Sequence, residues 1–270
     1  MARPSDPLPL FRGARPLKRW RYVGVFDERV MICAASVQVG PARQTFWGIY
    51  VRAGRAPGGE AIIERTRLVP RRGALDLAPG RLRIRDGEVL VELALDENGG
   101  IEARCPNGEA YVWTRKQAGV RARGTLTLGA QPPLEIDAGA VIDDTEGYHA
   151  RVTEWWWAAG IGTGPDGTQL AFNLVQGVND PPTGSERAVW VAGVPHEAAP
   201  VSFAANLETI ACVDGSRLAF APEAERSRKE NLGLVRSDYT APFGTFEGRL
   251  PGGIELKHAL GVVEHHSARW

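Results

Sequence analysis

Long apolar runs are missing from this 270-residue chain, and none approaches the length of a membrane-spanning helix. Paired cysteines are missing as well. Cys33, Cys105 and Cys212 are odd in number and far apart, with no CxxC or CxxH spacing for zinc. With no signal peptide before Phe11, the chain reads as a reduced, cytoplasmic protein. Neither sign of charge dominates: 32 Lys and Arg stand against 32 Asp and Glu, so no global field favours nucleic acid or an anionic membrane surface. Arginines gather only between Arg65 and Arg85, where Arg83 and Arg85 alternate with Leu82 and Ile84 as on a solvated strand face. Helical periodicity is scarce too, which removes the scaffold of parallel sheets, dinucleotide folds and phosphate loops. No GxSxG elbow supports an α/β-hydrolase, and "GIGTGPDG" at 160–167 matches a phosphate loop only in composition.

What the sequence does contain is a succession of short apolar or alternating runs between Gly, Pro, Asp and Asn. "RYVGVF", "RVMICAASVQV" and "EVLVELALDE" are examples from the first half, and "QLAFNLVQGV" and "RAVWVAG" from the second. Turns such as "DENGG", "PNGE" and "PDG" tolerate positive φ and suit antiparallel hairpins. Asp143–Tyr148 offers at most one helical turn. Pro222–Glu230, "PEAERSRKE", lacks an apolar stripe and reads as a polar turn or loop. The expectation is an almost all-β protein, either two consecutive antiparallel β-barrels or one large β-sandwich. Its parts are an extended arm at 1–19, an N-terminal barrel at 20–140 and a C-terminal barrel at 141–270.

Three consecutive tryptophans stand in "GYHARVTEWWWAAGIG". In a strand, alternate side chains face opposite ways, so Arg151, Thr153, Trp155 and Trp157 share one face, and Glu154 and Trp156 the other. The face with Arg151 suits either core packing or a cavity in which two indoles flank a ligand while Arg151 and Thr153 fix its polar end. Asn173 lies across the predicted hairpin, and Gln176 faces the opposite way from Asn173. Glu154 and Glu186 are the candidate acids, since a buried carboxyl whose pKa is raised can donate a proton. His265 and His266 are adjacent and project oppositely, so they do not share a metal, and no metal is expected. His265 is kept as a ligand-binding candidate.

"TRK" at 114–116, "GYHARVTEWWWAAG", "AFNLVQG", "FGTFEG" and the closing "LGVVEHHSARW" follow one another in an order that resembles a bacterial family of unknown function. Its members carry an Arg-x-Thr-x-Trp-x-Trp strand and a terminal Glu-x-His-x-Ala-Arg-Trp. The resemblance covers most of the chain from Trp20 onward, with an N-terminal portion shorter than usual. That family in turn resembles two-barrel, lipocalin-like (calycin) proteins: carotenoid 1,2-hydratases, tocopherol cyclases and some fungal Diels–Alderases. The resemblance implies lipocalin-like barrels, a small hydrophobic molecule bound inside or between them, and no cofactor. The function expected first is binding of a lipid, isoprenoid or polyketide-like ligand. The alternatives are a cofactor-independent hydratase, cyclase or isomerase of a polyene-like substrate, and a structural β module with no ligand. Neither a nucleic-acid partner nor an integral membrane segment is expected.

Overall fold

The structure is a computed structural model that describes residues 7–52, 61–97, 99–108, 110–232 and 235–269. Among these residues every regular element is a strand. The first sheet runs Ile62–Arg67, Ala42–Val51, Val30–Val39, Lys18–Phe26, Leu134–Gly147, Ala110–Leu128, Val89–Leu95, Arg81–Asp86 and Leu75–Asp76. Ile101–Asn107 pairs with the first half of Ala110–Leu128. The second sheet runs Val194–Glu197, Ala188–Val191, Gln169–Gln176, Val152–Thr163, Ile254–Arg269, Val235–Leu250, Arg217–Leu232, Thr209–Cys212 and Val201–Phe203. Both sheets are antiparallel and curl into lipocalin-like half-barrels, each around its own core.

The two sheets share one connectivity. In each, the first long strand pairs with both the next strand and the last one, and meanders add outward on either side. Leu134–Gly147 belongs to the first sheet and runs through residues 140–141, and the first strand of the second sheet begins at Val152. The segments 143–147 and 222–230, read as a helical turn and a polar loop, are strand instead. Pairing explains both: Asp143 lies opposite Lys116, and Arg226 lies opposite Ala241 in a long hairpin. Pro222–Glu230 shows no apolar stripe because, of its residues, Arg226 alone is buried.

Alternation along the strands sorts side chains into three groups. Val23, Val25, Ile32, Ile49 and Ile142 fill the first barrel; Ala158, Phe172, Leu174, Phe246 and Val263 fill the second. A third cluster lies between the sheets and draws on both, with Phe26, Met31, Cys33 and Val141 against Trp157, Ala171, Trp190, Phe243 and Val262. Ala110–Leu128 changes face at a bulge between Ala118 and Val120, where Gly119 takes φ +75. Ala118 therefore faces the seam and Val120 the first barrel.

Arg226 pins the seam. It leaves the second sheet, bonds Glu64 through Nε at 2.6 Å and reaches Cys33 Sγ at 3.3 Å, both on the first sheet. Its guanidinium lies 4.8 Å from the Phe46 ring. Gly48 makes room for it, since a Cβ there would stand 2.7 Å from Arg226 Cδ and Nε. Because Arg226 is buried, it has little freedom to yield. Gly48→Ala should cost about 1–3 kcal/mol of stability in urea unfolding. Unchanged stability would show that the arginine moves aside freely.

Candidate functional site

Side chains on the facing sides of two packed sheets are normally buried, yet several in this seam remain half-buried, among them Tyr22, Phe46, Trp155, Tyr239, Glu264 and His266. They converge from both sheets. Trp155 and His266 are cross-strand partners with ring centroids 4.3 Å apart, and His266 meets Tyr239 at 5.7 Å. Tyr239 lies 6.4 Å from Phe46, and Tyr22 packs edge-on to Trp157 at 5.3 Å. Together these rings cluster in the seam around one carboxyl group.

That carboxyl is Glu264. Burial pushes it up from 4.5 to about 7, against the favourable hydrogen bond that Trp155 Nε1–H donates at 2.9 Å. Its other close polar neighbour is His266 Nδ1 at 4.0 Å. Burial lowers the His266 pKa to about 4, so that ring is neutral at pH 7, and its Nε2 shares a 2.8 Å hydrogen bond with Ser237 Oγ. Among the described residues Glu264 thus has no cation in direct contact, and a substantial fraction of it holds its proton at neutral pH. Tyr239 is raised, chiefly by burial, and accepts a 2.8 Å hydrogen bond from Arg226. Tyr22 is also raised by burial.

A second polar group lies deeper in the seam. Lys116 pairs with Asp143 at 2.6 Å and Glu186 at 3.3 Å, with all three side chains largely buried. Burial works against its charge, but the two carboxylates hold it charged. Asp143 also accepts from Trp20 Nε1 and Thr145 Oγ1. Burial raises Glu186, which accepts from Asn179 at 3.0 Å. His149 stacks on Trp20 at 5.0 Å, and burial lowers its pKa to about 3, keeping it neutral.

The seam gathers some of the residues read from the sequence and leaves others elsewhere. Trp155 and Trp157 face it, and Thr153, on the same side of the strand, is buried. Asn173 also faces it, accepting from Trp157 Nε1 at 2.7 Å and donating to the Glu186 carbonyl at 2.8 Å. Gln176 accepts from the Phe203 backbone at 2.9 Å, away from Asn173. Glu154 and His265 pair at 2.9 Å on the far face, where His265 stacks on Trp156. Arg151 is not among the seam residues. Strand pairing begins at Val152, leaving Arg151 exposed in the connection, with no ion pair among the described residues. Glu264 went unselected in the sequence although it lies beside His265. The signal was its place opposite Trp157 across a strand pair, which becomes visible only once the pairing is known. Among the described residues no three His, Cys, Asp or Glu side chains are grouped to hold a metal ion.

A family model described as "Domain of unknown function (DUF2804)" matches residues 83–270. No curated protein matches the chain in sequence. Among solved structures, a protein of Nitrosomonas europaea assigned as AttH superposes with a TM-score of 0.54 at 11% identity, covering 98% of each chain. CghA, crystallised with Sch210972, gives 0.54 at 10% identity over 98% of this chain and 94% of that one. Kievitone hydratase from Nectria haematococca superposes less closely, at 0.46 and 12% identity over 92% and 88%. At such identities the likeness to AttH and CghA is one of fold alone.

The raised Glu264 pKa has a sign that can be checked. The folded protein keeps this proton between about pH 4.5 and 7 while the unfolded chain has released it, so stability falls as pH rises through that window. The full effect is roughly 3 kcal/mol at one pKa unit per 1.36 kcal/mol. His149 and His266 act oppositely at lower pH, so the comparison must be between variants. Urea unfolding at pH 5 and pH 8 should show Glu264→Gln losing less stability than the parent as pH rises. Parallel losses would mean an ordinary carboxylate.

Proposed function

The chain belongs to the DUF2804 family, and we propose that it binds a small, largely apolar molecule in the seam between its barrels, with Glu264 as hydrogen-bond donor and acid. The observation that carries this reading is a carboxyl raised to about 7 among half-buried aromatic rings, without a contacting cation among the described residues. Perturbed carboxyls of this kind concentrate at functional sites. This setting suits proton transfer to an alkene. The Glu264 proton passes to one alkene carbon, leaving a carboxylate and a carbocation. The faces of Trp155 and Tyr239 stabilise such a cation by their quadrupoles. Water or a second alkene of the same molecule then attacks it, and the proton released on that attack or on collapse of the product returns to Glu264. Hydration and cyclisation both follow this course without a cofactor. CghA shares the fold and was crystallised with Sch210972, which supports ligand binding by an architecture of this kind.

The reading predicts that farnesol, an uncharged isoprenoid, quenches the intrinsic tryptophan fluorescence. Trp155→Ala should weaken its binding at least about tenfold, roughly 1.4 kcal/mol, with the β-type circular dichroism unchanged. Any turnover should decline as pH rises above about 7 and be lost in Glu264→Gln. Farnesol affinity unaltered by Trp155→Ala would remove the seam as the site.

A further inference from the structure

The mouth of the first barrel holds a cavity of about 510 Å³ on the other face of the strands that wall the seam. We propose that it is a second binding site, for an organic anion with an apolar body. This inference does not depend on the seam reading.

Alternation places the charges. Arg19 and Arg21 follow the side of Lys18–Phe26 that carries Val23 and Val25 into the first core, and Asp144 and Glu146 continue the side of Ile142. Below the mouth the barrel is filled with Val, Ile and Leu, and at the mouth its wall becomes charged. Arg115, one strand further, and Arg43 complete a set of four arginines around the cavity. Leu75 and Leu77 form an apolar wall, packed against the barrel core.

The hydrogen-bond capacity of this lining does not balance. Its carboxylates are engaged: Asp144 takes Arg21 and Arg115, Glu146 takes Arg19, and Asp76 takes Arg81. Glu97 pairs with Arg21 from outside the lining. What is left over is donors. The Nε–H groups of Arg19, Arg21 and Arg115 are buried without an acceptor among the described residues. Arg43 is exposed and forms no ion pair among them. With the outside partners Glu97 and Arg81 counted, five arginines stand against four carboxylates, so the cavity is short of acceptors and Arg43 is the cation left without a counter-ion among the described residues. A ligand that only donates gains nothing here. A carboxylate or phosphate offers several acceptor lone pairs to guanidinium N–H groups in a fixed fork. Leu75 and Leu77 then call for an apolar body beside that head.

Calorimetric titration with decanoate, decyl phosphate and decanol tests the inference, since the three share a chain and differ in the head group. The anions should bind at least about tenfold more tightly than decanol. Whichever of the two is tighter identifies the head group the mouth prefers. Arg43→Glu, a change at an exposed residue, should abolish the preference, while Trp155→Ala, in the seam, should leave it intact. Equal affinity for all three probes, or no binding of either anion, would overturn the proposal. So would a preference lost in Trp155→Ala and kept in Arg43→Glu, because the anion would then lie in the seam. Failure of farnesol binding leaves this test unaffected, so the two readings fail separately.

Discussion

The Arg226 guanidinium, with its side chain only 3% exposed, lies between two curled sheets and bonds to both, and the seam is organised around it. Moving such a charge out of water is costly unless neighbours replace the lost solvation. Here Glu64 supplies the counter-charge, the Tyr239 hydroxyl and Cys33 sulfur accept hydrogen bonds, and two aromatic faces lie within 4.8 and 5.6 Å. These partners are spread over both sheets, so the arginine is satisfied only when the barrels adopt this one arrangement. Apolar contacts in the seam contribute area; the arginine contributes direction.

A consequence follows for Glu264. Two buried cations of the seam already have their own carboxylates, Arg226 with Glu64 and Lys116 with Asp143 and Glu186. Glu264 is left with an indole N–H and a neutral imidazole. Asp143 raises it further, while the Trp155 hydrogen bond and the more distant charges of Arg226 and Lys116 oppose this. A proton therefore persists where aromatic rings, rather than water, surround it. The same ionic arrangement that fixes the barrels thus prepares an acid.

Much of the fold was legible in the sequence. Alternating apolar runs and Gly- or Asn-rich turns gave antiparallel strands, and the expectation of two barrels agrees with the two curled sheets. The tryptophan run was read correctly as a strand with two faces. Pro222–Glu230 was not legible as a strand, because its one buried side chain is a charged residue that enters the other sheet. Arg151 was placed on the tryptophan face by extending a regular strand past its start at Val152, into a connection. Glu264 was hidden for a different reason. Neighbouring residues in a strand point apart, so His265 faces the second barrel while Glu264 faces the seam, and only pairing with Trp155 and Trp157 reveals its surroundings.

The account stands most directly on the charge state of Glu264. Selective ¹³C-glutamate labelling, with Glu264→Gln to assign the resonance, allows its carboxyl to be titrated by NMR in the folded protein. A midpoint near 7 is predicted. A midpoint near the ordinary 4.5 would contradict the account, because the seam would then hold a carboxylate and no acid at neutral pH.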